Sequence, residues 1–317
     1  MSRRARLALA AASVLALSTA AQAQPASFSR PNVSSESGPV SVTFEGATTI
    51  NHGLVGAGQV SAAARDFNGD ILGSYSAMAI TDWRRLPDGT YAGALTTLPA
   101  RGPNGVGTIV GTSDYANRLH RFSFVFAPHA GAATVAPDQL KLTPTGGLLL
   151  KDAKGQTFTG LDPSEPAAKG RISMDSEGLA MAADGGFYVS DGYAAAIYRF
   201  DEAGALRGVI APAAAVAPVK DGKPALTGAS PPDAGRRNNQ GLEGVSMTPD
   251  GQRLAALLQS ATVQASTSIK DADQSRANTR LFLYDISKTA TGVGGGPSPS
   301  TPVSRPPTAR PPATMTT

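Results

Sequence analysis

Apolar and polar side chains alternate in short runs along most of the chain. In residues 119–126, Phe122, Phe124 and Phe126 fall on one face and Arg121 and Ser123 on the other. That is the two-residue period of a strand with one covered face. Residues 40–44 alternate in the same way, and runs at 91–95, 187–189, 196–201, 206–210, 254–258 and 280–286 read as further strands. Residues 105–111 suggest an inner strand. Residues 140–142 and 148–151 read as a hairpin around Pro144-Thr145-Gly146-Gly147, whereas residues 62–83 mix small and apolar side chains without a clear period. Asp88-Gly89, Asp184-Gly185 and Asp250-Gly251 punctuate the runs. Asp-Gly between two apolar runs predicts a tight hairpin, because the turn needs a positive φ that Gly supplies.

One stretch occurs twice. Met174-Asp175-Ser176-Glu177-Gly178-Leu179-Ala180 is echoed by Asn239-Gln240-Gly241-Leu242-Glu243-Gly244-Val245-Ser246. Each copy sets a lone Glu before a Gly, then runs through an apolar segment, an Asp-Gly turn and a second apolar segment. Glu177 and Glu243 lie about 66 residues apart, a blade-sized step once the Ala/Pro/Gly-rich excursion at 211–238 is discounted. Repeated strand units with Gly-marked turns predict an all-β, propeller-like fold, closed or incomplete as a ring, with a β-sandwich as the alternative.

Composition supports a chain of turns and strands. Of 317 residues, 35 are Gly and 24 Pro, which disfavours long helices, while 41% hydrophobic residues suffice for a core. Arg3, Arg4 and Arg6, the apolar run 7–17 and Ala21-Gln22-Ala23 form the pattern of a cleaved signal peptide over residues 1–23. Its apolar run is too short to span a bilayer. The expected organisation is therefore a signal peptide at 1–23, a β domain at 24–288 and a Pro/Thr/Ser-rich tail at 289–317, too poor in apolar side chains to be ordered. That arrangement predicts a secreted or periplasmic monomer with no membrane contact after cleavage. With no Cys, disulfides, thiolate nucleophiles and Cys-based zinc sites are excluded. The formal charge of +4 arises from Arg3, Arg4, Arg6, Arg305 and Arg310 near the ends; the body is close to neutral and gives no electrostatic case for nucleic acid.

Candidate chemistry centres on the repeated Glu. The innermost strand of a propeller blade lines the central channel, so Glu177 and Glu243 could converge there. Converging carboxylates repel unless a cation neutralises them, and Ca²⁺ with its hard oxygen ligands suits an exported protein. The competing reading is a turn at the start of a strand whose carboxylate accepts local backbone N–H groups. Asp191 and Asp114 each follow a strand ending in Ser; they read as further metal ligands, as a general base activating water, or as Asx turns. Asp191 is the candidate catalytic base and Asp114 the candidate third metal ligand. Arg236-Arg237-Asn238-Asn239 precedes the second Glu and reads either as an anion-binding stretch, through Arg237 and Asn239, or as a solvated loop. Gln259 occupies the unit position that Asp191 holds in the first copy and is a candidate substrate contact. His52, His120 and His129 lack partners at metal spacing. There is no Gly-x-Ser-x-Gly elbow, no P-loop and no Arg-His-Gly stretch.

The ordered motifs resemble one family. They are Asp175-Ser176-Glu177-Gly178-Leu179-Ala180, Gly186-Phe187-Tyr188-Val189-Ser190-Asp191 and Ile197-Tyr198-Arg199-Phe200-Asp201. Further on come Asn239-Gln240-Gly241-Leu242-Glu243-Gly244-Val245, Thr248-Pro249-Asp250-Gly251, Ala256-Leu257-Leu258-Gln259-Ser260 and Arg280-Leu281-Phe282-Leu283-Tyr284-Asp285. This order resembles the secreted phytase-like family described as "esterase-like activity of phytase". The resemblance implies a propeller-like fold and phosphoesterase or esterase activity on a small ester. It places Glu177 and Glu243 at the family's recurrent acidic positions, with Asp191 on the neighbouring strand. Family members continue with further strand-rich blades where this chain runs into its tail, so a C-terminally truncated or frame-shifted product is expected. The alternatives to a Ca²⁺-dependent hydrolase are a non-catalytic propeller that binds through its loops at 211–238 and 260–278, and an inactive product.

Overall fold

The computed structural model describes residues 40–51, 53–61, 64–103, 111–129, 136–266 and 278–287. The signal segment at 1–23, the tail at 289–317 and most of the expected strand at 105–111 lie outside the described residues. Among the described residues, helix is confined to a 3₁₀ turn at Pro166–Ala168 and a short helix at Val263–Ser266. Among the described residues no helix is long and apolar enough to cross a membrane.

The chain forms two compact units. The smaller comprises the described residues of Met1–Ala57 and His129–Asp138. It holds a hairpin of β1 (Val40–Phe44) and β2 (Ala47–Asn51). Glu45 and Gly46, at φ 49° and 81°, make the tight turn between them.

The larger unit contains three antiparallel meanders. The first sheet orders β3 (Tyr75–Arg85), β4 (Tyr91–Pro99), β5 (Arg118–Phe126) and β6 (Leu140–Leu149). The second orders β7 (Ser176–Met181), β8 (Phe187–Asp191), β9 (Ile197–Phe200) and β10 (Leu206–Ile210). A small hairpin follows, β11 (Val219–Lys220) with β12 (Lys223–Pro224), inside the Ala/Pro/Gly-rich excursion. The third sheet orders β13 (Leu242–Met247), β14 (Arg253–Leu258) and β15 (Leu281–Asp285). The fold is all-β, and β7 lies against both β3 and β13.

The same turn joins the first two strands of each sheet. Gly89, Gly185 and Gly251 have φ of 86°, 84° and 68°. Asp88, Asp184 and Asp250 each accept the backbone N–H two residues on, at 3.0, 3.1 and 3.0 Å. The Asp side chain thus holds the turn while the Gly supplies its left-handed corner.

Two sequence expectations are corrected. Residues 140–151 are not a hairpin; β6 runs unbroken through Pro144 and Gly146, and a register shift between Arg121 and Phe122 absorbs the irregularity. As an edge strand, β6 has no ladder on its far side for Pro144 to disrupt. Residues 75–85, which show no clear period, form β3. Its side chains are exposed except at Ala77 and Ala79, so no covered face imposed an alternation.

The core lies between the sheets. Leu98, Leu119, Phe158, Leu179, Phe187, Val189 and Phe200 fill the space between the first and second, with Ala77 and Ala79 against them. Tyr188, Ile197, Val245, Leu254, Ala256, Phe282 and Tyr284 fill the space between the second and third. Strand β8 therefore buries Phe187 and Val189 on one side and Tyr188 on the other, which explains its unbroken run of large side chains. Each such side chain contributes roughly 1.5–3 kcal/mol by leaving water. This clamps the second sheet, and with it the start of β7, between its neighbours.

Candidate functional site

The first strands of the three sheets begin alike. Backbone N–H groups of Ala100, Gly192 and Gln259 donate to the carbonyls of Ser74, Asp175 and Gly241, at 3.0, 2.9 and 2.9 Å. Two residues after each acceptor stand Ser76, Glu177 and Glu243, each second in its strand. Each lies within a register shift, between Tyr75 and Ala77, Ser176 and Leu179, and Leu242 and Gly244. Such bulges re-aim a side chain at the end of a ladder.

Glycine sets how closely two of these strand ends approach. A Cβ on Gly178 would meet the Glu243 carbonyl oxygen, Ser190 Oγ and Val245 N, each at 2.6 Å. A Cβ on Gly244 would meet nothing within 4 Å. The first Gly of the repeated Glu-Gly pair is therefore a packing requirement and the second is not. Ser190 bridges the strands: its Oγ accepts Gly178 N–H at 2.8 Å and donates to the Glu243 carbonyl at 2.9 Å.

Asp175, Glu177 and Glu243 form one electrostatic cluster with Arg101. Burial, then the charges of Asp175 and Glu243, push the Glu177 carboxyl up to about 9, while a hydrogen bond with Ser76 opposes the shift. Glu177 is therefore protonated at neutral pH and donates to Asp175. Burial also raises Asp175, against the pull of the Arg101 guanidinium, whose Nη1 lies 2.7 Å from Asp175 Oδ2. Glu243 is raised by burial and by the charge of Asp175, while hydrogen bonding to Glu177 and the charge of Arg101 pull it down. With its amide nitrogen turned inward, Gln259 donates to Glu243 Oε1 at 3.0 Å and to the Asn239 carbonyl at 3.3 Å. The cluster thus holds three carboxyl groups side by side, of which Glu177 is raised to about 9, and carboxyl groups whose environments push their pKa values apart are the arrangement that separates acid from base roles.

The sequence candidates distribute unevenly. Glu177, Glu243 and Gln259 come together. Asp191 is fully buried behind them and accepts N–H groups of Asp175, Tyr193 and Ala194 at 3.0, 2.9 and 3.0 Å. Burial raises its carboxyl to about 7, and those three donors oppose the rise. Asp114 is engaged by Arg171 at 2.5 Å and by Thr159 Oγ1 at 3.1 Å. Asn239 adopts a left-handed φ of 51°. Arg237 lines a cavity of about 290 Å³ with Pro231, Pro232, Asn238, Gln240 and Val263. No group of three or more His, Cys, Asp or Glu side chains that could hold a metal ion occurs among the described residues. The donor atoms have the hard-oxygen character Ca²⁺ takes, but Asp175 is already paired with Arg101, so a cation here would have to compete with that guanidinium and with the protons of the cluster.

Three participants escaped the sequence reading. Ser76 heads a third copy of the repeat, with Ala77-Met78-Ala79-Ile80 matching Gly178-Leu179-Ala180-Met181, but Ser replaces Glu and hides the echo. Asp175 sits inside the repeated stretch without a counterpart in the second copy. Arg101 lies in a loop after β4, where nothing local marks its partner.

The sequence profile described as "Phytase-like: Esterase-like activity of phytase" matches residues 102–296. The chain is also 34% identical, over 281 residues, to an uncharacterized secreted protein of Arthroderma benhamiae, covering 75% of this chain and 54% of that protein. It thus spans about half the length of the curated relative it matches. The family profile covers β5 through β15, with both Glu-Gly units inside it, and the chain belongs to the phytase-like family described by the esterase-like activity of phytase.

Proposed function

We propose that this chain is a secreted ester hydrolase, acting on phosphate esters or related esters, whose working groups are Glu177, Glu243 and Arg101. The carrying observation is the buried gathering of Glu177, Asp175 and Glu243, in which burial and the charges of the other two raise the Glu177 carboxyl to about 9. Hydrolysis of an ester needs a proton for the leaving oxygen and a base for the attacking hydroxyl. Glu177 gives the proton and Glu243 accepts one. Arg101, held by Asp175, offers a cation to the oxygen on which negative charge develops. Family membership favours this chemistry, and the signal-like segment at 1–23 together with the secreted relative favours export.

In this reading the larger unit is propeller-like. Three meanders start alike, and β7 lies between the first strands of the other two, as inner strands do around an axis. Ca²⁺ enters as a competitor for the place of the shared proton, since a divalent cation would relieve the same repulsion. The deciding experiment is turnover of 4-nitrophenyl phosphate and 4-nitrophenyl acetate by wild type and Glu177→Gln, each with Ca²⁺ and with chelator. Turnover of either ester that collapses in the variant supports the reading. Absence of turnover by wild type under every condition defeats it.

A second reading is a binding protein. It rests on the cavity lined by Arg237 and Asn238, where Asn238 Oδ1 is buried with no hydrogen-bond partner among the described residues.

A further inference from the structure

The equivalence of Ser76, Glu177 and Glu243 goes beyond the acid and base roles. All three occupy the second position of a first strand, all three lie within a register shift, and all three follow the same backbone bond. Two of these positions carry carboxyl groups. The third carries an exposed hydroxyl, on a strand lying directly against β7. We propose that Ser76 is a nucleophile at this site and takes the acyl group of a carboxylic ester. The inference rests on the ester-hydrolase reading and narrows it to acyl transfer in two steps.

A serine hydroxyl attacks poorly until a neighbour removes its proton. Strand β3 lies against β7, which sets the second positions of the two strands beside one another, and Glu177 interacts with Ser76 on one side and with Asp175 on the other. One Glu177 oxygen receives the Ser76 proton while the carboxyl group passes its own within the cluster to Glu243, the base of that reading, to which it is also hydrogen-bonded, so Glu177 acts as a relay and its protonation is unchanged. Ser76 Oγ bonds to the ester carbonyl carbon, and the carbonyl π pair moves to oxygen beside the Arg101 guanidinium. Collapse restores the carbonyl and breaks the bond to the alkoxy oxygen, which leaves as the alcohol with the proton from the cluster. Water then adds to the acyl-serine by the same route, releasing the carboxylic acid and restoring the hydroxyl. Water is the only co-reactant.

The position fits a reacting group better than a packing one. Ser76 fills no core, whereas the next residue, Ala77, packs against the core between the sheets. Substitution at Ser76 should therefore leave folding intact.

The test uses the full chain and an alkyl fluorophosphonate, which phosphonylates activated serines. Intact-mass measurement should show one adduct, peptide mapping should place it on Ser76, and Ser76→Ala should remove it with an unchanged melting temperature. Glu177→Gln should slow labelling, a change that a merely structural serine would not produce. Turnover of 4-nitrophenyl acetate should fall at least about a hundredfold in Ser76→Ala. An adduct absent or on another residue overturns the inference. So does acetate-ester turnover by Ser76→Ala within twofold of wild type; the carboxylates would then act on water directly and the ester-hydrolase reading would stand. Wild type inert toward every ester defeats that underlying reading, a result separate from retained turnover in Ser76→Ala.

Discussion

Arg101 Nη1 lies 2.7 Å from Asp175 Oδ2 and joins the loop after β4 to the residue before β7. The Asp175 side chain is 4% exposed and that of Arg101 21%. The guanidinium therefore does two things: it ties the first sheet to the second, and it opposes the rise that burial imposes on the Asp175 carboxyl. Removing it leaves Asp175 buried among acids. Arg101→Ala is expected to cost about 2–3 kcal/mol, below the roughly 3–5 kcal/mol of a fully buried pair because Arg101 is partly solvated. Urea denaturation at pH 7 measures the loss, which should shrink at low pH as Asp175 protonates.

Glu177 should make stability fall with rising pH. Its carboxyl ionises near the ordinary value when the chain is unfolded, and only near about 9 in the folded state. Below the unfolded value both states are protonated and no penalty exists. Between the two values the folded state must keep a proton the unfolded state has lost, so stability declines by at most about 1.4 kcal/mol per pH unit and levels off above about 9. Glu177→Gln is expected to flatten that slope and raise the melting temperature at pH 7 to 8. It should also lower turnover by about 10²–10⁴-fold. Melting curves from pH 5 to 9 on both proteins check the first effect, and steady-state kinetics the second.

The two glycines of the repeat make a matched pair of substitutions. A methyl group at Gly178 would meet backbone atoms of β13 and the Ser190 hydroxyl at 2.6 Å, and neither strand can yield without disturbing the core beneath. Gly178→Ala is expected to destabilise by about 1–3 kcal/mol. Gly244→Ala enters open space and should change stability by less than about 1 kcal/mol. Equal losses in thermal melts of the two variants would show that the approach of β7 to β13 is not what requires Gly178.

Calcium should act on this site through competition with protons. If a cation enters, it takes the place of the Glu177 proton, and Ca²⁺ should raise the melting temperature more at pH 8 than at pH 6. The shift should disappear in Glu177→Gln. A melting temperature indifferent to Ca²⁺ at both pH values removes the cation from the site while leaving the acid and base roles in place.

Much of the fold was legible because burial writes itself into the pattern. Strands β1, β5, β9, β10 and β15 appear in the sequence close to their observed bounds, and the three Asp-Gly turns stand where expected. β3 was illegible because few of its side chains are covered, and β6 because Pro144 and Gly146 imitate a turn inside an edge strand. The site was half legible. Glu177 and Glu243 stand out because they repeat, and Gln259 because it closes its unit as Asp191 closes the first. Arg101 lies 74 positions from Asp175, and a contact between a loop and a strand start leaves no periodic trace. Ser76 kept the repeat's backbone while losing its acid, so only the superposed bulges reveal it.

Asp191 provides the last discrimination. Its carboxylate is fully buried and takes three backbone N–H groups, including that of Asp175. A group so occupied holds the loop after β8 in place and sets the position of Asp175, and through it of Arg101 and Glu177. Asp191→Asn keeps the shape but replaces one acceptor oxygen by an N–H₂ that faces donors. Above the value of about 7 at which Asp191 ionises these hydrogen bonds go to a charged acceptor and contribute about 1.5–3 kcal/mol, so a loss of that order is expected at pH 8, with a matching fall in melting temperature. A positioning residue and a catalytic base then part company in the kinetics. If Asp191 positions, the folded variant should keep the wild-type pH profile at a modestly reduced rate. If the rising limb of the profile vanishes and the rate drops about 10²–10⁴-fold while the melting temperature holds, Asp191 is itself the base, and Glu243 loses that role.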